Sequence, residues 1–358
     1  MFRARSAIQN LQQYHPPLAR REGLRLDFNE NTVGCSPRVL ERLRQITADD
    51  LARYPEREPV EAMAAAHLQL ASSQVLLTNG VDEAIHLLCE TYLEPADEVL
   101  VVSPTFRMYE IYAAATGARV ISVQCEADLR FPLERVLSSI SPATRLIAIA
   151  SPNNPTGSVA DSEELLRIAA AAPQAAVLVD EAYFEFHGKT VIGEIGSLEN
   201  LFVARTFSKA YGLAGLRVGV LAGPQRQMPM VRRVSSPYNV NAVALFVLPA
   251  ALGDHDHIRQ YVSEVLCARQ RLARELTALG LPSWPSQANF LLVKIGERHR
   301  EFVQAMRGHG ILVRDRHDDP GCGGCVRITV GNESQTSQLV AVLRHVVNEL
   351  KIVSEVRA

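Results

Sequence analysis

The stretch whose reading decides the fold is Leu201-Phe202-Val203-Ala204-Arg205-Thr206-Phe207-Ser208-Lys209-Ala210-Tyr211-Gly212-Leu213-Ala214-Gly215-Leu216-Arg217. It opens on four apolar residues, a run of the length and character of a buried parallel strand. Lys209 then falls just past the strand, at the carboxyl edge where open α/β sheets bind their ligands. Thr206 and Ser208 alternate with Phe207, so their hydroxyls share a direction and suit a phosphate. Arg217, eight residues after Lys209, could add a bidentate cation to the same anion. A lysine that attacks a carbonyl must first lose its proton, and nearby cations lower its pKa. Taken alone, the motif also allows the reading of a surface lysine and arginine flanking a glycine-bearing loop.

Working outward, short apolar runs recur at 75–77, 98–102, 146–150 and 177–179, and a run at 218–222 reads as a strand of opposite direction. Helical patterns lie between them at 82–93, 109–116 and 162–171. Such alternation predicts an α/β fold with a mainly parallel sheet. Near Asp254 the texture changes to a long amphipathic helix over 258–279, strands near 289–295, 311–314 and 326–330, and helices near 301–308 and 333–350. The expected organisation is an N-terminal arm, 1–40, joining a smaller α+β domain, 254–358, with a large domain at 41–253 between them. The length of 358 residues agrees, at about 150 residues per domain.

Composition excludes several function classes. Hydrophobic residues make up 47% and charged residues 21%, so a large core can be buried. The net charge of -2 gives no basic excess for nucleic acid or a membrane surface. No apolar segment follows the basic start and no run of about 18 apolar residues exists, so the expectation is a cytoplasmic protein. Cys35, Cys89, Cys125, Cys267, Cys322 and Cys325 are too scattered for a disulfide framework. Cys322 and Cys325 form a C-x-x-C that could be redox-active or zinc-binding. No second pair has zinc spacing, so a glycine-rich turn with incidental thiols is preferred and no metal is expected.

Four further constellations follow apolar runs. Asp180-Glu181-Ala182-Tyr183 puts an acid at the end of a buried strand, which is costly unless a cation, such as a protonated ring nitrogen, pairs with it. Tyr183 is near enough to bond a ring oxygen of the same ligand. A helix-capping aspartate is the other reading. Ser151-Pro152-Asn153-Asn154-Pro155-Thr156-Gly157 is a rigid turn presenting the Asn154 amide, or a turn and nothing more. Thr78-Asn79-Gly80-Val81-Asp82 leads into a helix whose first N–H groups, on Gly80, Val81 and Asp82, could bind an anion; capping by Asn79 is the alternative. Phe106, in Pro104-Thr105-Phe106, could stack on a flat ring or fill the core.

In this order the five elements resemble the fold-type-I aminotransferases dependent on pyridoxal phosphate, and most closely the histidinol-phosphate aminotransferase family. The resemblance spans about Tyr14 to Leu350. It implies a large domain with a mainly parallel seven-stranded sheet, and pyridoxal phosphate bound to Lys209 as a Schiff base. It implies Asp180 and Tyr183 acting with Lys209 in catalysis, and ring stacking by Phe106, where many members carry tyrosine. Asn29, in Leu26-Asp27-Phe28-Asn29-Glu30-Asn31, matches a segment near the family's active site. Tyr54 matches a tyrosine that crosses a homodimer interface to the neighbouring cofactor phosphate. Arg327 matches the arginine for the substrate α-carboxylate, and Tyr14 and Arg314 match residues that hold a substrate phosphate, though both also read as surface groups. Histidinol phosphate has no carboxylate, so Arg327 would there assist with the phosphate. Val81 departs from the smaller residue of many relatives, which touches the pocket wall and leaves the backbone donors intact.

The implied reaction is a ping-pong transamination between an amino donor, histidinol phosphate, and 2-oxoglutarate, in histidine biosynthesis. An aminotransferase for aromatic or other amino acids, or a lyase resembling threonine-phosphate decarboxylase, are the alternatives. A non-catalytic regulator on this fold would need an added DNA-binding domain, for which there is no room before Leu26.

Overall fold

The computed structural model describes residues 2–15 and 21–352. Strand β1 (Leu24–Arg25) belongs to the N-terminal arm. It is followed by β2 (Val75–Thr78), β3 (Glu98–Ser103), β4 (Arg119–Gln124), β5 (Thr144–Ala150), β6 (Ala176–Asp180), β7 (Leu201–Thr206) and β8 (Gly219–Ala222). These last seven form one sheet in the order β2-β8-β7-β6-β5-β3-β4. All run parallel except β8, which is antiparallel to both its neighbours.

The central strands read as continuous apolar runs because both faces of the sheet are covered. Val177, Val179 and Val203 enter the core on one face, while Leu178, Phe202 and Ala204 enter the core on the other. Fully burying one such side chain contributes about 1.5–3 kcal/mol. Strand β4 was not visible as an apolar run. It pairs only with β3, and its Arg119-Val120-Ile121-Ser122-Val123-Gln124 mixes polar with apolar residues, as a half-exposed edge does.

The helix expected over 162–171 forms as Ser162–Ala171 behind a capping box of Asp161 and Glu164. The helices expected over 82–93 and 258–279 start two and three residues earlier, as Gly80–Tyr92 and His255–Ala278. Beyond them lie β9 (Phe290–Lys294), β10 (Ile311–Leu312), β11 (Arg314–Asp315) and β12 (Cys325–Thr329). Strands β11, β12 and β9 make a small antiparallel sheet.

The single strand expected at 311–314 is therefore two. The chain turns at Val313 because its two halves bond different partners: β10 pairs in parallel with β1, and β11 pairs with β12. The arm is thereby tied to the C-terminal layer. Leu26 N–H donates to Leu312, and its carbonyl accepts from Thr329 N–H. Among the described residues no helix is long and apolar enough to cross a membrane.

Candidate active site

Strands β2, β3, β5, β6 and β7 all deliver their following loops to one edge of the large sheet, the carboxyl edge expected to hold a ligand. A cleft of about 250 Å³ lies there. Val81 and Asp82 line it from the first turn of the Gly80–Tyr92 helix that follows β2, Phe106 from the loop after β3, and Asn154 from that after β5. Asp180 enters at the end of β6 and Tyr183 just after it, and Thr206 at the end of β7 with Ser208, Lys209 and Arg217 after it.

Lys209 Nζ donates to the Phe28 carbonyl at 3.1 Å. Burial, together with the charges of Arg327 and Arg217 against that of Glu30, brings its pKa down to about 8. Asp180 is buried, and that burial lifts its carboxyl to about 6 although Tyr109 donates to one oxygen and Ala182 N–H, at 2.9 Å, to the other. A buried acid so placed gains most from a cationic partner in the cleft. Its neighbour Glu181 has a structural task, bonding Arg205 at 2.9 Å and Thr190 on the far side of the strand.

Asn29 joins the site by donating to Tyr183 Oη at 2.9 Å, and it is itself held by Thr329. Arg327 donates to the Asn154 side-chain oxygen and, at 2.7 Å, to the Asp27 carbonyl. Burial brings Arg327 down to about 9, with the nearby Arg316 the next cause. Arg314 donates to Tyr14 Oη at 3.3 Å and lies 5.4 Å from the Phe28 ring centre.

At the start of the Gly80–Tyr92 helix Asn79 makes no side-chain cap, so the capping alternative does not hold. Gly80 has φ 73° and packs so closely on Arg217 that a Cβ would lie 2.7 Å from a guanidinium nitrogen. Arg217 in turn pairs with Asp82 at 2.8 Å. Of the predicted residues, Asn29 and Arg327 bond residues that line the cleft, Tyr14 and Arg314 bond each other outside its lining, and Tyr54 is 77% exposed and stacks on Tyr238.

The structure adds groups the sequence reading missed. Tyr109 and Phe28 are among them; Tyr109 lies within a helix outside the quoted motifs, and Phe28, beside Asn29 in its segment, acts through its carbonyl. Arg316 is another. Register pairs Arg314 with Arg327, and Arg316 N–H bonds Cys325, so Arg314, Arg316 and Arg327 share one face of the small sheet. The Arg-x-Arg spacing on a strand was the available signal. Asp319 pairs with Arg316. Cys322, in a turn, and Cys325, at the start of β12, are buried free thiols beside Leu129 and Leu292.

With this cleft described, the class of protein is defined: the chain belongs to the class I and II aminotransferases, whose family profile matches residues 21–343. Within them it groups with the histidinol-phosphate aminotransferases. It is 34% identical to that of Caldanaerobacter subterraneus subsp. tengcongensis over 336 residues, covering 90% of this chain and 93% of the relative. It is 37% identical to that of Paracoccus denitrificans over 327 residues, covering 89% and 88%. The crystal structure of the Sinorhizobium meliloti histidinol-phosphate aminotransferase in complex with pyridoxal 5'-phosphate superposes with a TM-score of 0.89 at 27% identity, covering 98% of this chain and 99% of that one.

The cleft fits such a cofactor. Ser208 Oγ is buried there with no partner, as a phosphate donor awaiting its acceptor would be. Gly80 leaves free the space beside Arg217 that a Cβ would fill, and Asp180 offers a buried carboxylate for a ring nitrogen.

Proposed function

We propose that this chain is a pyridoxal-phosphate-dependent transaminase that takes histidinol phosphate as amino donor and 2-oxoglutarate as acceptor. The observation that carries the substrate is the trio Arg314, Arg316 and Arg327, in which Arg314 Nη1, Arg316 Nε and Arg327 Nε are buried and unpartnered. Buried guanidiniums with free donors are costly unless an anion completes them. A phosphate, with its charge and three oxygens, suits such forks. Arg327 would serve the phosphate in one half-reaction and a carboxylate of 2-oxoglutarate in the other.

Pyridoxal phosphate, when bound, supplies the electron sink that lets an amine lose its α-proton. Lys209 would hold it covalently and, once displaced by the substrate amine, take the proton from the substrate α-carbon through Nζ. Asp180 would keep the ring nitrogen protonated. Tyr183 and Asn154 would donate to the ring's phenolic oxygen, and Phe106 would cover the ring. Backbone N–H groups of Gly80, Val81 and Asp82, with Thr206, Ser208 and Arg217, would hold the cofactor phosphate.

The reading includes a homodimer in which Tyr54 reaches the neighbouring cofactor phosphate. Its support is Tyr54 itself, exposed and stacked on the exposed Tyr238, together with the further exposed apolar side chains Leu40, Leu51, Met63, Met230 and Val234. It also takes 41–253 as the cofactor-binding domain and 254–358 as a smaller domain joined by the arm 1–40, supported by the β1–β10 pairing. A cytoplasmic address is supported by cysteines that are all unpaired.

The test is a donor screen on purified holoenzyme with 2-oxoglutarate, comparing histidinol phosphate, phenylalanine and O-phosphothreonine. Histidinol phosphate should give the highest kcat/KM, with a keto product. Turnover of phenylalanine with none of histidinol phosphate would sink the assignment, as would carbon dioxide release from O-phosphothreonine as the main reaction.

A further inference from the structure

Two helices of the C-terminal layer, His299–Gly308 and Glu333–Glu349, pack together and bring three side chains of metal-binding type onto one surface. His309 is the C-cap of the first helix, and His345 and Glu349 stand one turn apart near the end of the second. The His309 and His345 rings are 4.8 Å apart, edge to face. His345 Nε2 lies 3.7 Å from the Glu349 carboxylate. One ligand atom from each residue lies within 4.8 Å of the other two, and all three residues are exposed. None of them lines the cleft.

We infer that His309, His345 and Glu349 form a zinc site that clips the carboxyl ends of these two helices together. Two imidazoles and a carboxylate are a donor set of intermediate softness that suits zinc, whereas magnesium and calcium select oxygen ligands. A tetrahedral zinc, at about 2.0–2.1 Å from each ligand, holds its ligands about 3.4 Å apart. Small rotations of exposed side chains close that gap, and water fills the fourth position. The backbone favours a cation here too: both helices end at the site, and their last carbonyls place partial negative charge beside it. An exposed His-Glu pair one turn apart would explain His345 and Glu349 without explaining why His309 meets them. The two histidines are far apart in sequence, so no ligand spacing betrayed the site. The first helix leads directly into β10 and β11, and β11 carries Arg314, so the clip would brace the layer that presents the arginine trio.

The test is calorimetric titration of tag-free, metal-stripped holoenzyme with zinc chloride. One saturable zinc per chain is expected, with a thermal midpoint raised by zinc. His309→Ala and His345→Ala should each weaken binding at least about tenfold and abolish the rise. Glu349→Gln, close in size, should weaken it too without altering the zinc-free melt. Cys322→Ser should leave binding intact, and basal transamination should persist in all three ligand variants. Absence of saturable binding, a site indifferent to both histidine substitutions, or a site lost in Cys322→Ser would each overturn the inference.

Discussion

Lys209 lies near the buried Arg327 and the exposed Arg217, and burial first, then these charges, bring its pKa down from 10.5 to about 8. A lowered pKa means that the neutral, nucleophilic amine predominates above about pH 8, not only above the ordinary lysine value. The rate at which apoprotein takes up pyridoxal phosphate should therefore rise with pH and level off above about 8. Arg327→Ala removes a cation and should move that midpoint upward; stopped-flow absorbance across a pH series measures both. At Asp180 the Tyr109 hydrogen bond opposes the lift from burial. Tyr109→Phe removes it, so the acidic limb of the kcat profile should move to higher pH. A bond to a charged group is worth about 1.5–3 kcal/mol, so kcat should fall by about ten- to a hundredfold if that bond is fully used in the transition state. Lys209, Asp180 and Asn154 were legible in the sequence because each follows a buried apolar run. Tyr109 and Arg316 were not, because their contribution comes from which neighbour the fold supplies.

Among the elements, the helix opening at Gly80 illustrates how local geometry shapes a site. Its φ of 73° and the 2.7 Å approach of Arg217 both select glycine. Gly80→Ala should displace Arg217 and strain the helix start, weakening cofactor retention more than overall folding; equilibrium dialysis against pyridoxal phosphate, beside a thermal melt, separates the two. The strands that carry the cleft were readable because burial on both faces writes a continuous apolar run. Strand β4 and the two-residue strands β10 and β11 were not. The edge strand β4 interrupts its apolar residues with polar ones, and a strand of two residues leaves no period to detect.

At the scale of the whole molecule, the arm, the large sheet and the small sheet meet at the cleft. Arg327 of the small sheet bonds Asn154 of the large domain, and Asn29 of the arm bonds Tyr183 of the large domain and Thr329 of the small sheet. No sequence period encodes that meeting; only matching of whole motifs to a family anticipated it. On the proposed dimer, Tyr54 would belong to a larger unit still. In a two-fold dimer, mixing Lys209→Ala with Tyr54→Ala should restore one complete site per heterodimer. Activity at limiting cofactor should then exceed that of either variant alone; assay after co-refolding measures this, and no gain over the parents would separate Tyr54 from the neighbouring site.

The most direct measurement is borohydride reduction of the holoenzyme followed by peptide mass mapping. The expected result is a pyridoxyl group on the peptide that contains Lys209, absent in Lys209→Ala. A label on Lys189, Lys294 or Lys351 in its place, or no covalent label at all, would contradict the assignment of Lys209 as the cofactor-bearing residue.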